Sequence, residues 1–117
     1  MDREPSGSEG KPLRQPLRIP GGWSVEHHEL VQLEPASLAE DARSWDCFTE
    51  DLLQLREARH DLLLDAGWYP GSEPGGRFRA VLLRGQDWAN PLEVYETRRL
   101  SELVLRIEDW LVRAQRL

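Results

Sequence analysis

Glu26-His27-His28-Glu29 sets two imidazoles between two carboxylates, the densest group of potential ligands and bases in the chain. In an extended segment successive side chains alternate, so His27 and Glu29 point one way and Glu26 and His28 the other. A metal site there would take one such pair plus a distant ligand such as His60 or Asp65. The two-histidine zinc motif instead needs its imidazoles four apart on a helix, and this pair is adjacent in a strand-like segment. Surface or edge histidines are the expectation, and no metal or cofactor is assigned. Cys47 is a potential nucleophile, with three histidines in the chain to serve as its base. No glycine-framed elbow or helix start follows it, and Asp46, Glu50 and Asp51 disfavour a thiolate. Asp65 stands out because it interrupts an apolar run, on the face opposite Leu64 and Trp68. Hydrolysis by paired carboxylates, or a two-metal site, needs such groups to converge in a pocket. The catalytic alternative is therefore a small hydrolase or metal-dependent enzyme using Asp65 with His27 or His60. No P-loop, dinucleotide fingerprint, serine elbow or paired-cysteine zinc motif occurs, so no catalytic residue is assigned.

The bulk properties exclude more than they select. At 117 residues the chain is one domain with a modest core and no room for a large enclosed chamber. Its net charge is −6. The first 22 residues hold four basic and three acidic side chains, leaving 11 basic and 18 acidic in the remainder, a net of −7. A body of that sign repels nucleic acid and anionic membrane and attracts a basic partner. Lys11 is the only lysine, so the folded part holds none for a Schiff base or a phosphate. Cys47 is alone, which rules out an intramolecular disulfide. With no apolar signal segment and no run of the ~18 apolar residues a bilayer span needs, a cytoplasmic location is the expectation.

The elements that would position these residues are legible in part. Residues 1–20, rich in Pro, Gly, Ser and charge, read as a disordered N-terminal arm, and 21–117 as a single α+β domain. Alternation from Trp23 to Leu33 predicts a strand ended by Pro35. Residues 37–60 are ambiguous between helix and strand. The preferred reading is a short helix or loop from Ser37, then a strand at 52–56 paired with the apolar run Asp61–Trp68. Pro70–Gly76 and Gly85–Pro91 are turns bounding a strand at 77–83, and a further strand follows at 91–97. Leu100, Leu103, Val104, Ile107, Trp110, Leu111 and Ala114 form one stripe of a C-terminal amphipathic helix. Glu102 with Arg106, and Asp109 with Arg113, are spaced as helical ion pairs. The predicted fold is an antiparallel β-meander of about five strands packed against that helix. Trp68, Phe78 and Trp110 are the expected core aromatics, and the arginines of strand 77–84 are expected to pair with carboxylates on neighbouring strands.

Trp45, Tyr69 and Trp88 fall at or beside turns, where complete burial is hard. With Asp46, Glu50, Asp51 and Asp87 they make up the candidate binding residues, aromatic anchors in an acidic surface. Gly22-Trp23-Ser24-Val25, Glu50-Asp51-Leu52-Leu53, Gly67-Trp68-Tyr69-Pro70, Asp87-Trp88-Ala89-Asn90-Pro91-Leu92 and Trp110-Leu111 resemble the marks of a family of small, mostly uncharacterised bacterial proteins, over roughly residues 21–117. In layout the chain is also similar to immunity proteins of bacterial polymorphic-toxin systems. That resemblance implies a non-enzymatic protein-binding module that blocks a basic toxin stoichiometrically. The expected partner is a protein and the expected state a monomer or a homodimer.

Overall fold

The computed structural model describes residues 12–116. Five strands form one sheet in sequence order: β1 (Trp23–His28), β2 (Leu53–Glu57), β3 (Leu62–Tyr69), β4 (Arg77–Arg84) and β5 (Glu93–Thr97). Every neighbouring pair is antiparallel, and the helix α1 (Leu100–Ala114) closes the chain. The meander with a C-terminal helix is thus the α+β fold that the alternating runs and the closing stripe predict.

One sheet face carries Leu53 and Leu55, Leu62, Leu64 and Trp68, and Phe78 and Leu82. The stripe of α1 buries Leu103, Ile107, Trp110 and Leu111 in the same core. Each such fully buried side chain contributes about 1.5–3 kcal/mol relative to exposure. Burial explains why β3 and β4 read as near-continuous apolar runs. Leu63, Val81 and Leu83 point to the opposite face and form a small second cluster there.

Three details differ from the sequence expectation. The first strand ends at His28 rather than Leu33, after a bulge between Val25 and His27. A bulge adds an unpaired residue and bends the strand away, so the chain leaves the ladder early. Val31 then pairs with Arg14 instead. Second, the arm expected over residues 1–20 divides. Residues 1–11 lie outside the described residues, whereas 12–20 lie against the body. Gln15 N–H donates to the Leu30 carbonyl (2.8 Å), Gln32 N–H to that of Leu13 (2.7 Å), and Leu17 and Ile19 pack on the core. Two apolar side chains at alternate positions supply the burial that composition alone had hidden. Third, only one expected ion pair of α1 forms: Arg113 meets Asp109 at 2.7 Å. Arg106 lies over the Tyr95 ring instead, 4.3 Å from its centre, and Glu102 takes the Thr97 hydroxyl.

The N-terminus of α1 is capped from far away in sequence. Arg99, at the capping position, offers no side-chain acceptor. The Glu34 carboxylate accepts both the Leu100 N–H (3.0 Å) and the Ser101 N–H (3.1 Å). Its negative charge also meets the positive pole of the helix. Glu34→Ala is expected to cost about 1 kcal/mol, in the range of lost helix caps. Urea unfolding of the variant measures this, and a wild-type midpoint would show that the cap carries no stability.

Candidate functional site

The register aligns three polar side chains across the face that α1 does not cover. His27 lies opposite Gln54, and Gln54 opposite Asp65. With Asp51 and Leu53 they line an open notch of about 220 Å³. The Gln54 amide donates to Asp65 Oδ2 (3.1 Å), and His27 Nε2 contacts the Asp51 carbonyl (2.8 Å).

Glycine brings the remaining acidic residues here. On β3, Asp65, Gly67 and Tyr69 share this open face. A Cβ at Gly67 would collide with the Glu50 carbonyl oxygen, with the Glu50 Cα 3.0 Å away. Only the bare backbone of glycine lets segment 49–51 cross the sheet at this point. The crossing is pinned by Trp68 N–H to the Thr49 carbonyl (2.9 Å), Leu52 N–H to that of Ala66 (3.1 Å), and the Tyr69 hydroxyl to that of Glu50 (3.1 Å). Glu50, Asp51, Asp65 and Tyr69 thereby share one corner.

Acidic charge dominates that corner, with His27 and Arg79 opposing it only in part. Burial raises the Asp65 carboxyl above its ordinary value. The Gln54 hydrogen bond opposes that rise and the Asp51 charge adds to it. Burial also raises the Tyr69 phenol, with Asp65, Glu50 and Asp51 pushing the same way. Arg77 and Arg79 are near, but both contact Glu96 at 3.3 Å. Among the described residues no cation forms an ion pair with Glu50, Asp51 or Asp65.

The other sequence candidates separate. Trp45 is buried (5% exposed), stacked among Phe48 and Trp68 with its N–H on the Ala39 carbonyl. It belongs to the core and is withdrawn as a surface anchor, because its short 3-10 turn tips the ring inward. Asp46 lines a different cleft with Arg14, His28 and Cys47. Asp87 and Trp88 sit in the β4–β5 turn, at the other end of the strands, where Asp87 accepts the Asn90 amide and Trp88 is 56% exposed. The seven candidates therefore do not form one patch; Glu50, Asp51 and Tyr69 do, and Asp65 joins them.

No protein-family model, no curated protein and no solved structure matches this chain. The chemistry of the surface has to speak for itself.

The histidines are occupied structurally. His28 Nε2 meets the Gln15 carbonyl (2.9 Å) and its Nδ1 accepts the Leu30 N–H (3.3 Å). Burial lowers its pKa, and the Gln15 bond only partly opposes this. Both nitrogens are engaged, so neither is left to deprotonate Cys47 in the same cleft. His60 lies at the β2–β3 turn, bonded to Glu57 on the helix side of the sheet. It therefore does not come together with Asp65. No group of three or more metal-ligating side chains is assembled among the described residues.

Glu57 was not among the sequence candidates, yet it is the one charged side chain buried among the described residues (1% exposed). Burial alone would raise its pKa. The His60 ring and the His60 and Arg59 backbone N–H groups outweigh that and hold it below the ordinary value. A carboxyl lowered in the folded state contributes stability above its unfolded pKa, and that stability disappears as pH falls through the folded pKa. Glu57→Gln is expected to destabilise the protein at neutral pH and to flatten this acid-side loss. Urea midpoints across the acid range test it; an acid limb as steep as wild type would assign the loss to other groups. A turn-terminal Glu three residues before a His was the only available hint.

Proposed function

We propose that the chain is a non-enzymatic protein-binding module that takes a basic protein partner, in the manner of an immunity or antitoxin-like inhibitor. One observation carries this reading: Asp51 and Asp65 meet in a notch on an uncovered sheet face, with Glu50 nearby on the far side of Tyr69, its carboxylate on the Gly71 N–H, and no cation forms an ion pair with any of the three among the described residues. A partner arginine or lysine would relieve the like-charge repulsion between Asp51 and Asp65. Complementary charge also accelerates encounter. Tyr69 supplies an aromatic rim, and Trp88 an exposed aromatic at the far end of the strands. Inhibition then follows from occupying the toxin's basic surface.

The test is capture by the tagged chain from lysate of the source organism, washed at low and high salt. Mass spectrometry of the bound protein and calorimetry with the purified partner would follow. One stoichiometric basic partner is expected, with affinity that falls with salt. The double substitution Asp51→Asn/Asp65→Asn should weaken it by about tenfold, equivalent to ~1.4 kcal/mol. Affinity insensitive to both salt and substitution would sink the reading.

A further inference from the structure

Residues 12–20 cross the body as a strap, and one imidazole holds the strap beside Cys47. Pro12, Leu13 and Arg14 form one wall of a cleft of about 580 Å³, with His28, Leu30 and Cys47 on its other side. Main-chain bonds from the Gln15 N–H to the Leu30 carbonyl (2.8 Å) and from the Gln32 N–H to the Leu13 carbonyl (2.7 Å) pair the strap with segment 30–32. His28 touches both partners. Its Nε2 meets the Gln15 carbonyl at 2.9 Å, and its Nδ1 accepts the Leu30 N–H at 3.3 Å.

This geometry specifies one state of the ring. A carbonyl only accepts and an N–H only donates, so Nε2 must carry the proton and Nδ1 must be bare. That is a neutral tautomer. In a protonated imidazole both nitrogens are donors. Nδ1–H would then face the Leu30 N–H, donor against donor, and the Leu30 N–H would lose its acceptor. Turning the ring away from Leu30 gives up the Gln15 bond as well, because both nitrogens belong to one rigid plane.

The surroundings do not favour the charged ring. Burial disfavours it most, the Gln15 hydrogen bond opposes burial in part, and the charges of Arg14 and His27 act in the same direction as burial. Glu29 and Asp46 line the cleft beside the Cys47 thiol, but neither forms an ion pair with His28 among the described residues. Glu29 instead lies 3.8 Å from His27, and the residue opposite His28 on β2 is Leu53.

We infer that His28 is a proton-operated latch: the neutral ring holds residues 13–15 on segment 30–32, and protonation releases them. Release removes one wall of the Cys47 cleft and bares the backbone of segment 30–32. The latch does not depend on the acidic notch or on its partner. The direction follows from linkage. In the released state His28 returns to its ordinary pKa of about 6.5. A histidine whose pKa is lower when latched favours release as pH falls below that value, by up to about tenfold per pH unit until the latched ring also takes the proton.

Amide hydrogen exchange of the full-length chain, followed by NMR between about pH 7.5 and about pH 5.5, tests the inference. Protection factors correct for the intrinsic pH dependence of exchange. They should fall about tenfold at Gln15 and Gln32 and stay constant at the amides of β3. In His28→Gln, which takes no proton, protection at the two strap amides should not change with pH, whatever its level. Ring-nitrogen shifts of the wild type give a check that needs no variant, and they should report the Nε2–H tautomer at the upper pH. Constant protection of Gln15 and Gln32 in the wild type would overturn the inference, as would strap amides unprotected already at the upper pH. So would an equal fall in His28→Gln, an equal fall at β3, or an Nδ1–H tautomer.

Discussion

Trp68→Ala is expected to lower the unfolding free energy by about 3–5 kcal/mol, the range for deleting a large buried aromatic. A small domain has only about 5–15 kcal/mol in total, so the variant would sit near the limit of folding. The reason is position. Trp68 is 0% exposed and its ring centre lies 4.9 Å from Phe78, 5.2 Å from Phe48 and 5.7 Å from Trp45. Phe48 also touches the other three rings of the cluster, but Trp68 is the larger side chain, so removing it opens the larger cavity, shared by strand, loop and turn. Its N–H also holds the Glu73 carbonyl, and the Arg98 guanidinium lies 5.5 Å above its ring while bonding the Pro74 and Gly76 carbonyls. The β3–β4 loop is therefore tied to the same side chain. Urea unfolding read by far-ultraviolet circular dichroism measures the change. A loss below about 1 kcal/mol, ordinary for any site, would show that the cluster is not the centre of the core.

Gly67→Ala should be the most damaging change of a single methyl. Its Cβ would enter the space of the Glu50 backbone carbonyl, which cannot rotate away as a side chain can. Overpacking of this kind costs about 1–3 kcal/mol, and a backbone obstacle puts the substitution at the upper end. Segment 49–51 must lift off the sheet, breaking the Tyr69 hydroxyl bond to Glu50 and dispersing Glu50 and Asp51 from Asp65. The variant should thus lose both stability and affinity for a basic partner, whereas Asp51→Asn/Asp65→Asn should lose affinity alone. Unfolding midpoints combined with amide chemical shifts of residues 49–52 decide this. Wild-type shifts in Gly67→Ala would mean that the segment is not held across β3.

The strands and helix were legible because their signals are local. Alternation, the Gly/Pro turns and the stripe from Leu100 to Ala114 each depend on neighbours within a few residues. The end of β1 was not, since the bulge at Val25 depends on what β2 offers opposite. Nor was Trp45, whose turn location suggested exposure until the fold placed Phe48 and Trp68 beside it. Burial on the second sheet face was not anticipated either; Leu63, Val81 and Leu83 cluster there because β3 and β4 lie at the centre of the sheet.

By itself, the sequence determined the class and sign of this protein. Period-two and helical patterns specify a meander with a closing helix, and the charge balance specifies an acidic body, because both are sums over local residue types. Tertiary structure alone decided the site. His27, Gln54 and Asp65 come from three strands aligned by register, and Glu50 and Asp51 join them from the segment that lies over the bare backbone of Gly67. The same holds for Glu34 at the start of α1, sixty-six residues from its nearer partner. Such pairings depend on long-range packing, in which a single bulge or a missing Cβ chooses among many partners of equal local propensity.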